Sequence, residues 1–258
     1  MRDGIVVAAA PVVAAVALLA AAALLEQLKA LLYFRPSHHF PETVETYAEV
    51  TVGHLRGRLL AAPGDGGHGK IVLLCHGNAS NVALEEWRMT ALRDRGYAVL
   101  VFDYSGYGRS LGVPSEGQMY KDASAMAALL LETHRRDQIV LYGMSMGAPV
   151  ATYVARRYAI PTLILESPLS SMRAVVGQRS RALAILCPEF DTASHLASFH
   201  GADVKARSLV MHSPDDEIVP YESVRPLIRT STRHIRIGGT HDHPVLPWDE
   251  IVAFIGGS

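Results

Sequence analysis

The sequence predicts an α/β fold, a mostly parallel central sheet with helices on both faces, and three observations carry that reading. Short runs at 71–75, 98–102, 138–142, 162–165, 208–212 and 234–237 are predominantly apolar, as strands covered on both sides are. Between them, 82–95, 116–133 and 148–157 repeat apolar residues at three-to-four spacing, which gathers those residues on one face of a helix. Alternation of the two patterns is the βα repeat from which parallel sheets are built. Composition agrees: 258 residues, 49% hydrophobic and 19% charged, suffice for one full core plus an appendage and exclude a disordered or coiled-coil chain.

The appendage comes first. Residues 4–25 hold 22 positions without a charge, 20 of them Ala, Val, Ile or Leu. As a helix they reach about 33 Å, enough to cross a bilayer. Residues 1–35 therefore read as an N-terminal membrane anchor with its flank. A cleaved secretory signal, with Ala20, Ala21 and Ala22 as a small-residue site, and a buried helix are the alternatives. A signal's apolar stretch is normally only about 7–15 residues, so length favours the anchor. Arg2 on one flank, against Lys29 and Arg35 on the other, leaves the membrane face of the body open, and cleavage would make the protein secreted.

The body spans 36–258. Its first residues, 36–41, read as a linker stiffened by Pro36 and Pro41. Two edge strands, 47–52 and 55–60, precede the turn-rich Pro63-Gly64-Asp65-Gly66-Gly67. The βα rhythm then holds until 165, after which about 40 residues pass before the strand at 208, more than one crossover needs. Helical stretches at 173–186 and 194–200 make this interval, about 167–206, a small helical lid over the sheet's carboxyl edge, where it would shape a substrate pocket.

Gly143-Met144-Ser145-Met146-Gly147 directly follows the strand at 138–142 and directly precedes a helical pattern. A G-x-S-x-G in that context is a turn that presents its serine, with the glycines letting neighbouring backbone approach. The helix that follows aims free N–H groups and the positive end of its dipole at the same spot. A serine at its own pKa is a weak nucleophile and requires an oriented base, in the order Ser, acid, His on this architecture. Both partners are present. Ser213-Pro214-Asp215-Asp216-Glu217-Ile218-Val219-Pro220 follows the strand at 208–212, and Asp216 is the chosen acid, with Asp215 second and Glu217 expected in solvent. Gly238-Gly239-Thr240-His241-Asp242-His243 follows the last strand; His241 is the chosen base, with His243 second because its neighbour Pro244 leads it into the closing helix at 246–255. The loop Cys75-His76-Gly77-Asn78-Ala79 after the first apolar strand stands where this architecture supplies a second oxyanion donor, so the backbone N–H groups of Asn78 and Met146 are expected to form the hole. His76 reads as a loop-tying residue, Cys75 as an inert core thiol and Cys187 as a lid residue.

These residues, with Phe102-Asp103-Tyr104-Ser105-Gly106-Tyr107-Gly108-Arg109-Ser110 and Glu166-Ser167-Pro168 in the same order, resemble the membrane-anchored abhydrolase-domain branch of the α/β-hydrolase superfamily. The resemblance spans roughly 43–255 and implies that fold, with Ser145, Asp216 and His241 as nucleophile, acid and base. It also implies that the 103–110 turn and Glu166 are structural, although Glu166 marks an alternative acid position in some relatives. Ser213 and Ser80 stand where glycines are usual; neither touches the triad. The implied activity is a serine hydrolase acting on acylglycerols, lysophospholipids or acylated proteins, with ester or thioester favoured over amide. A peptidase-like amide hydrolase and a catalytically silent, membrane-tethered binding protein are the rival readings.

No cofactor is expected. Two cysteines cannot build a disulfide framework or a four-thiolate zinc site, and His241-Asp242-His243 lacks the companions of a metal motif. Lys+Arg 24 against Asp+Glu 25, with no basic run longer than a pair, makes nucleic acid an unexpected partner.

Overall fold

The computed structural model describes residues 6–64, 67–202 and 206–257. Asp65 and Gly66 of the turn-rich segment, and Gly4 with Ile5 at the start of the apolar run, lie outside them, as do 203–205 near the end of the lid interval.

Helix α1 (Val6–Tyr33) carries Pro11 near its start; 23 of its residues, Pro11–Tyr33, are long and apolar enough to cross a membrane, and that stretch is not buried by the body. Its last residue and the next, Tyr33 and Phe34, do enter the core. Residues 36–41, expected as a stiff linker, run without regular structure and are held to the body: Asn81 Nδ2 donates to the carbonyls of His39 (2.8 Å) and Ser37 (3.2 Å).

Strands β1 (Ala48–Val52) and β2 (Leu55–Leu60) form the antiparallel edge. They are followed by β3 (Ile71–Cys75), α2 (Glu86–Arg93), β4 (Ala98–Asp103), α3 (Glu116–Leu131), β5 (Ile139–Met144), α4 (Gly147–Tyr158) and β6 (Thr162–Glu166). Next come α5 (Met172–Arg179), α6 (Arg181–Leu186), α7 (Thr192–Ala202), β7 (Arg207–His212), α8 (Tyr221–Thr230) and β8 (Arg233–Arg236). A two-residue ribbon, β9 (Gly238–Gly239) with β10 (Pro244–Val245), and α9 (Trp248–Gly256) close the chain. The eight-stranded sheet runs β1-β2-β4-β3-β5-β6-β7-β8, parallel from β4 onward.

The inner strands β3 to β7 are mostly apolar because each faces two cores. On β3, Ile71, Leu73 and Cys75 point into the core shared with α3, α4 and α7, whereas Val72 and Leu74 point into the one closed by α2 and α9. Burying each such aliphatic side chain is worth about 1.5–3 kcal/mol.

The lid interval divides. The single helix expected over 173–186 is broken at Ser180, whose extended backbone (φ −158°) ends α5 and whose hydroxyl caps α6 by accepting from Leu183 N. The second expected lid helix, within α7, packs against α4 as the crossover to β7, so only α5 and α6 stand at the carboxyl edge. Helix α8 had no expectation; Pro226 within it hides its pattern.

Candidate active site

The order of strands reverses between β3 and β5: from β3 the chain moves outward to β4, then returns to the other side for β5. A crevice opens outside the carboxyl ends of strands at such a point. The loop after β3 carries Asn78 and the turn after β5 carries Ser145, one on each side of it.

Ser145 sits at φ 51°, a left-handed conformation that costs a non-glycine residue on the order of 1–3 kcal/mol. The two flanking glycines make the turn possible. A Cβ on Gly147 would collide with the Cys75 carbonyl, and one on Gly143 would come within 2.6 Å of the Gly147 carbonyl. The strain is held by Ser145 N donating to Glu166 O (2.9 Å) and by Ala148 N donating to Ser145 O (3.0 Å).

Three side chains distant in sequence form one hydrogen-bonded line. His241 Nε2 lies 2.9 Å from Ser145 Oγ, and His241 Nδ1 lies 2.8 Å from Asp216 Oδ2. An ionised carboxylate only accepts, so Nδ1 carries the hydrogen and Nε2 is left to accept from the serine hydroxyl. All three are buried. Asp216 Oδ1 also accepts from the N–H groups of Ile218 (2.9 Å) and Val219 (2.7 Å). Burial pushes this carboxyl up, but the bonds from His241 and Val219, with the His241 and His212 imidazoles beside it, outweigh burial and hold it below the usual aspartate value. His212, under the loop, donates from Nε2 to Val219 O (2.9 Å); burial drives its imidazole below the ordinary histidine value, opposed by Asp216.

Met146, the residue before α4, and Asn78 both border the cavity, and neither backbone N–H donates to a partner among the described residues. The Asn78 side chain is occupied: its Oδ1 accepts from Arg35 N (2.8 Å) and Tyr107 Oη (2.7 Å), and its Nδ2 donates to Tyr33 O (2.9 Å). The cavity, about 460 Å³, is walled by Leu169, Met172, Val175 and Val176 on the lid side and by Leu32 and Tyr33 at the end of α1.

The other candidates lie elsewhere. Asp215 is exposed. Glu217 is exposed as expected, yet its Oε2 accepts from His241 N (3.1 Å) and so steadies the loop. His243 is exposed. His76 is buried against Tyr104 and Tyr107, ring centroids at 4.4 and 5.5 Å. Glu166 is fully engaged by Arg88, at 2.6 and 3.0 Å, and by Tyr142 Oη at 2.6 Å. Burial pushes the Cys75 thiol up to about 12 and the Cys187 thiol up to about 11, which leaves both inert as nucleophiles. Sequence reading missed Arg179, whose guanidinium on α5 donates to the carbonyls of Glu217 (3.2 Å) and Ile218 (3.4 Å), and the side-chain role of Asn78. Neither leaves a local signal, since the partners lie far away in the chain.

A sheet of this order, with a strained serine after its fifth strand and a histidine and an aspartate converging on it, is the layout of an α/β hydrolase. Residues 66–191 match the family model described as serine aminopeptidase, S33. An uncharacterized protein of Mycobacterium tuberculosis is 32% identical over 190 residues, 70% of this chain and 66% of that protein. The lysophosphatidylserine lipase ABHD12 of Macaca fascicularis is 31% identical over 179 residues, 61% of this chain and 44% of the lipase. The chain thus spans between about half and two thirds of the length of these relatives. A solved esterase of Pyrococcus furiosus superposes with a TM-score of 0.65 over 86% of this chain and 97% of that one, at 20% identity. The chain has the α/β-hydrolase fold and is similar to proteins of the abhydrolase-domain branch of that superfamily.

Proposed function

We propose that the protein is a serine hydrolase that cleaves carboxylic ester or thioester bonds of lipid-like acyl substrates, tethered to a membrane by α1. The observation that carries the reading is the unbroken line Ser145–His241–Asp216 beside two unpartnered N–H groups at one end of an apolar cavity. His241 Nε2 takes the Ser145 proton as Oγ attacks the acyl carbonyl, and Asp216 holds the imidazole in the required tautomer and balances the charge it gains. The tetrahedral oxyanion accepts from Asn78 N–H and Met146 N–H, each worth about 3–4 kcal/mol in the transition state. His241 then gives its proton to the departing alcohol or thiol. Water, deprotonated by the same imidazole, attacks the acyl-enzyme and releases the acid and free Ser145. The aliphatic wall of Leu169, Met172, Val175 and Val176 suits an acyl chain, and the lipase among the relatives supports that choice.

The test is labelling of the full chain by a fluorophosphonate. The wild type should label at one site and Ser145→Ala should not; equal labelling of both removes Ser145 from the chemistry. The description of the matching family model favours a second reading, an amide hydrolase. Turnover of aminoacyl amides exceeding that of p-nitrophenyl esters would select it.

A further inference from the structure

We propose that the body does not hang free of the bilayer but sits on it, with three apolar segments around the exit of α1 immersed in the interfacial layer and the cavity mouth opening there. Helix α1 presents Leu28, Leu31 and Leu32 to the outside, with Leu31 83% exposed. The uncharged run ends at Leu25, so these leucines stand roughly 5–10 Å further along the helix axis at about 1.5 Å per residue. That is the depth of the headgroup and boundary region, outside the hydrocarbon core. Two other segments flank the same helix end. Tyr33 Oη donates to Leu183 O (2.6 Å), tying α6 to α1, and α6 exposes Leu183, Ile185 (79%) and Leu186. On another side, Gln27, Ala30 and Leu31 form a groove with Gly112 and Val113; Val113 and its neighbour Leu111 are 57% and 69% exposed.

Clustered exposed aliphatics of this kind mark an interaction surface, and continuity with the membrane-spanning stretch selects its occupant, the lipid bilayer. Arg35, Arg179 and Arg181 are exposed among them, placed to meet lipid phosphates while their stems lie along the apolar surface. The cavity is bordered by Leu32, Tyr33 and Arg35 as well as by Ser145 and His241. An acyl chain could therefore pass from the leaflet to the serine without crossing water. This last step rests on the hydrolase reading above; the docked surface does not.

The test uses the full chain reconstituted in phosphatidylcholine vesicles. Ile185→Trp and, separately, Leu111→Trp should gain fluorescence quenched by lipids brominated near the carbonyl end of the acyl chain. Quenching at both positions supports the docked surface; no quenching at either, with emission typical of water-exposed indole, overturns it. A second arm compares Ile185→Asp with wild type on a long-chain ester held in the vesicles and on a short, water-soluble ester. The vesicle-borne rate should fall by roughly tenfold or more, the factor for losing burial of one large aliphatic side chain, with the soluble rate unchanged. Equal change on both substrates overturns entry from the leaflet. Loss of fluorophosphonate labelling with quenching intact would sink the hydrolase reading and leave the surface standing.

Discussion

Glu166 ends β6 and Asp216 follows the neighbouring β7, and both carboxylates are sealed from solvent, yet their partners give them different work. Glu166 meets a guanidinium and a phenol: Arg88 also pairs with Glu85 at 2.7 Å, and Ser80 Oγ donates to Glu85 at 2.6 Å. Burial opposes the charge on Arg88, but the two carboxylates outweigh it and hold the guanidinium protonated. The Arg88 guanidinium and the Tyr142 phenol are both held above their ordinary values, so neither gives up its proton at neutral pH. Asp216 meets an imidazole, the one side chain that gains and loses its proton near neutrality, and that imidazole reaches a strained serine. The partner, more than the carboxylate, sets the role.

Exchanging each acid for its amide is the sharpest way to break this comparison. Asp216→Asn keeps the shape but presents an amide that can donate toward Nδ1 and favour the wrong tautomer. Its kcat should fall about 10⁴-fold while its thermal unfolding midpoint stays near that of the wild type. An Asn variant that keeps its turnover would take the acid role away from Asp216. Glu166→Gln should do the reverse. It leaves Arg88 with one carboxylate in a buried site, and breaking such a pair costs about 3–5 kcal/mol, read as a lower denaturation midpoint in detergent. The folded fraction should still label with a fluorophosphonate at nearly the wild-type rate. Loss of labelling in a folded Glu166→Gln protein would show that the network reaches the chemistry.

Acid should separate the two regions further. His212, beside Asp216 and His241 and under Tyr221, is held below the ordinary histidine value by burial, and so are His234, His195 and His200. Histidines of the unfolded chain take up protons near pH 6.5, before these do in the fold. Their stabilisation is therefore complete above that pH and is withdrawn as pH falls through it toward the depressed folded values. Asp216, also depressed, gives way only lower, as pH passes through its own folded value. Unfolding midpoints should fall from about pH 6.5 downward, and His212→Asn should flatten part of that slope. A midpoint flat between pH 7 and 5 would contradict the burial of neutral imidazoles.

The fold was legible where burial is symmetrical. Strands β3 to β7 read as apolar runs because both faces are covered, and Ser145 and Asp216 stand just past two of them, whereas His241 follows the partly exposed edge strand β8 and was reached through its glycine-rich loop. What escaped was decided by single hydrogen bonds or by one misleading residue. Ser180 splits a helix by capping from its middle, Pro226 hides α8, and α7 carries the spacing of a lid helix while packing on α4. The 36–41 segment has the composition of a stiff linker, and Asn81 holds it to the body by carbonyl groups that no side-chain pattern records.

The least drastic prediction concerns the other side of the cavity, where the comparison can be extended from acids to the loop proposed to hold the oxyanion. Tyr107 Oη donates to Asn78 Oδ1, and the same oxygen receives Arg35 N, so the loop that offers the Asn78 N–H is braced from the body and from the end of α1 together. Tyr107→Phe removes one brace and leaves the ring in its aromatic cluster with His76 and Tyr104. Stability should drop by about 0.5–1.5 kcal/mol, the net worth of one hydrogen bond. Because Asn78 Oδ1 keeps Arg35 N and Nδ2 keeps the Tyr33 carbonyl, the N–H should remain aimed and kcat should change only a few-fold. If kcat instead falls as far as loss of an oxyanion donor requires, about 10²–10³-fold, then Tyr107 alone sets the loop, and the two contacts from the end of α1 carry none of its alignment.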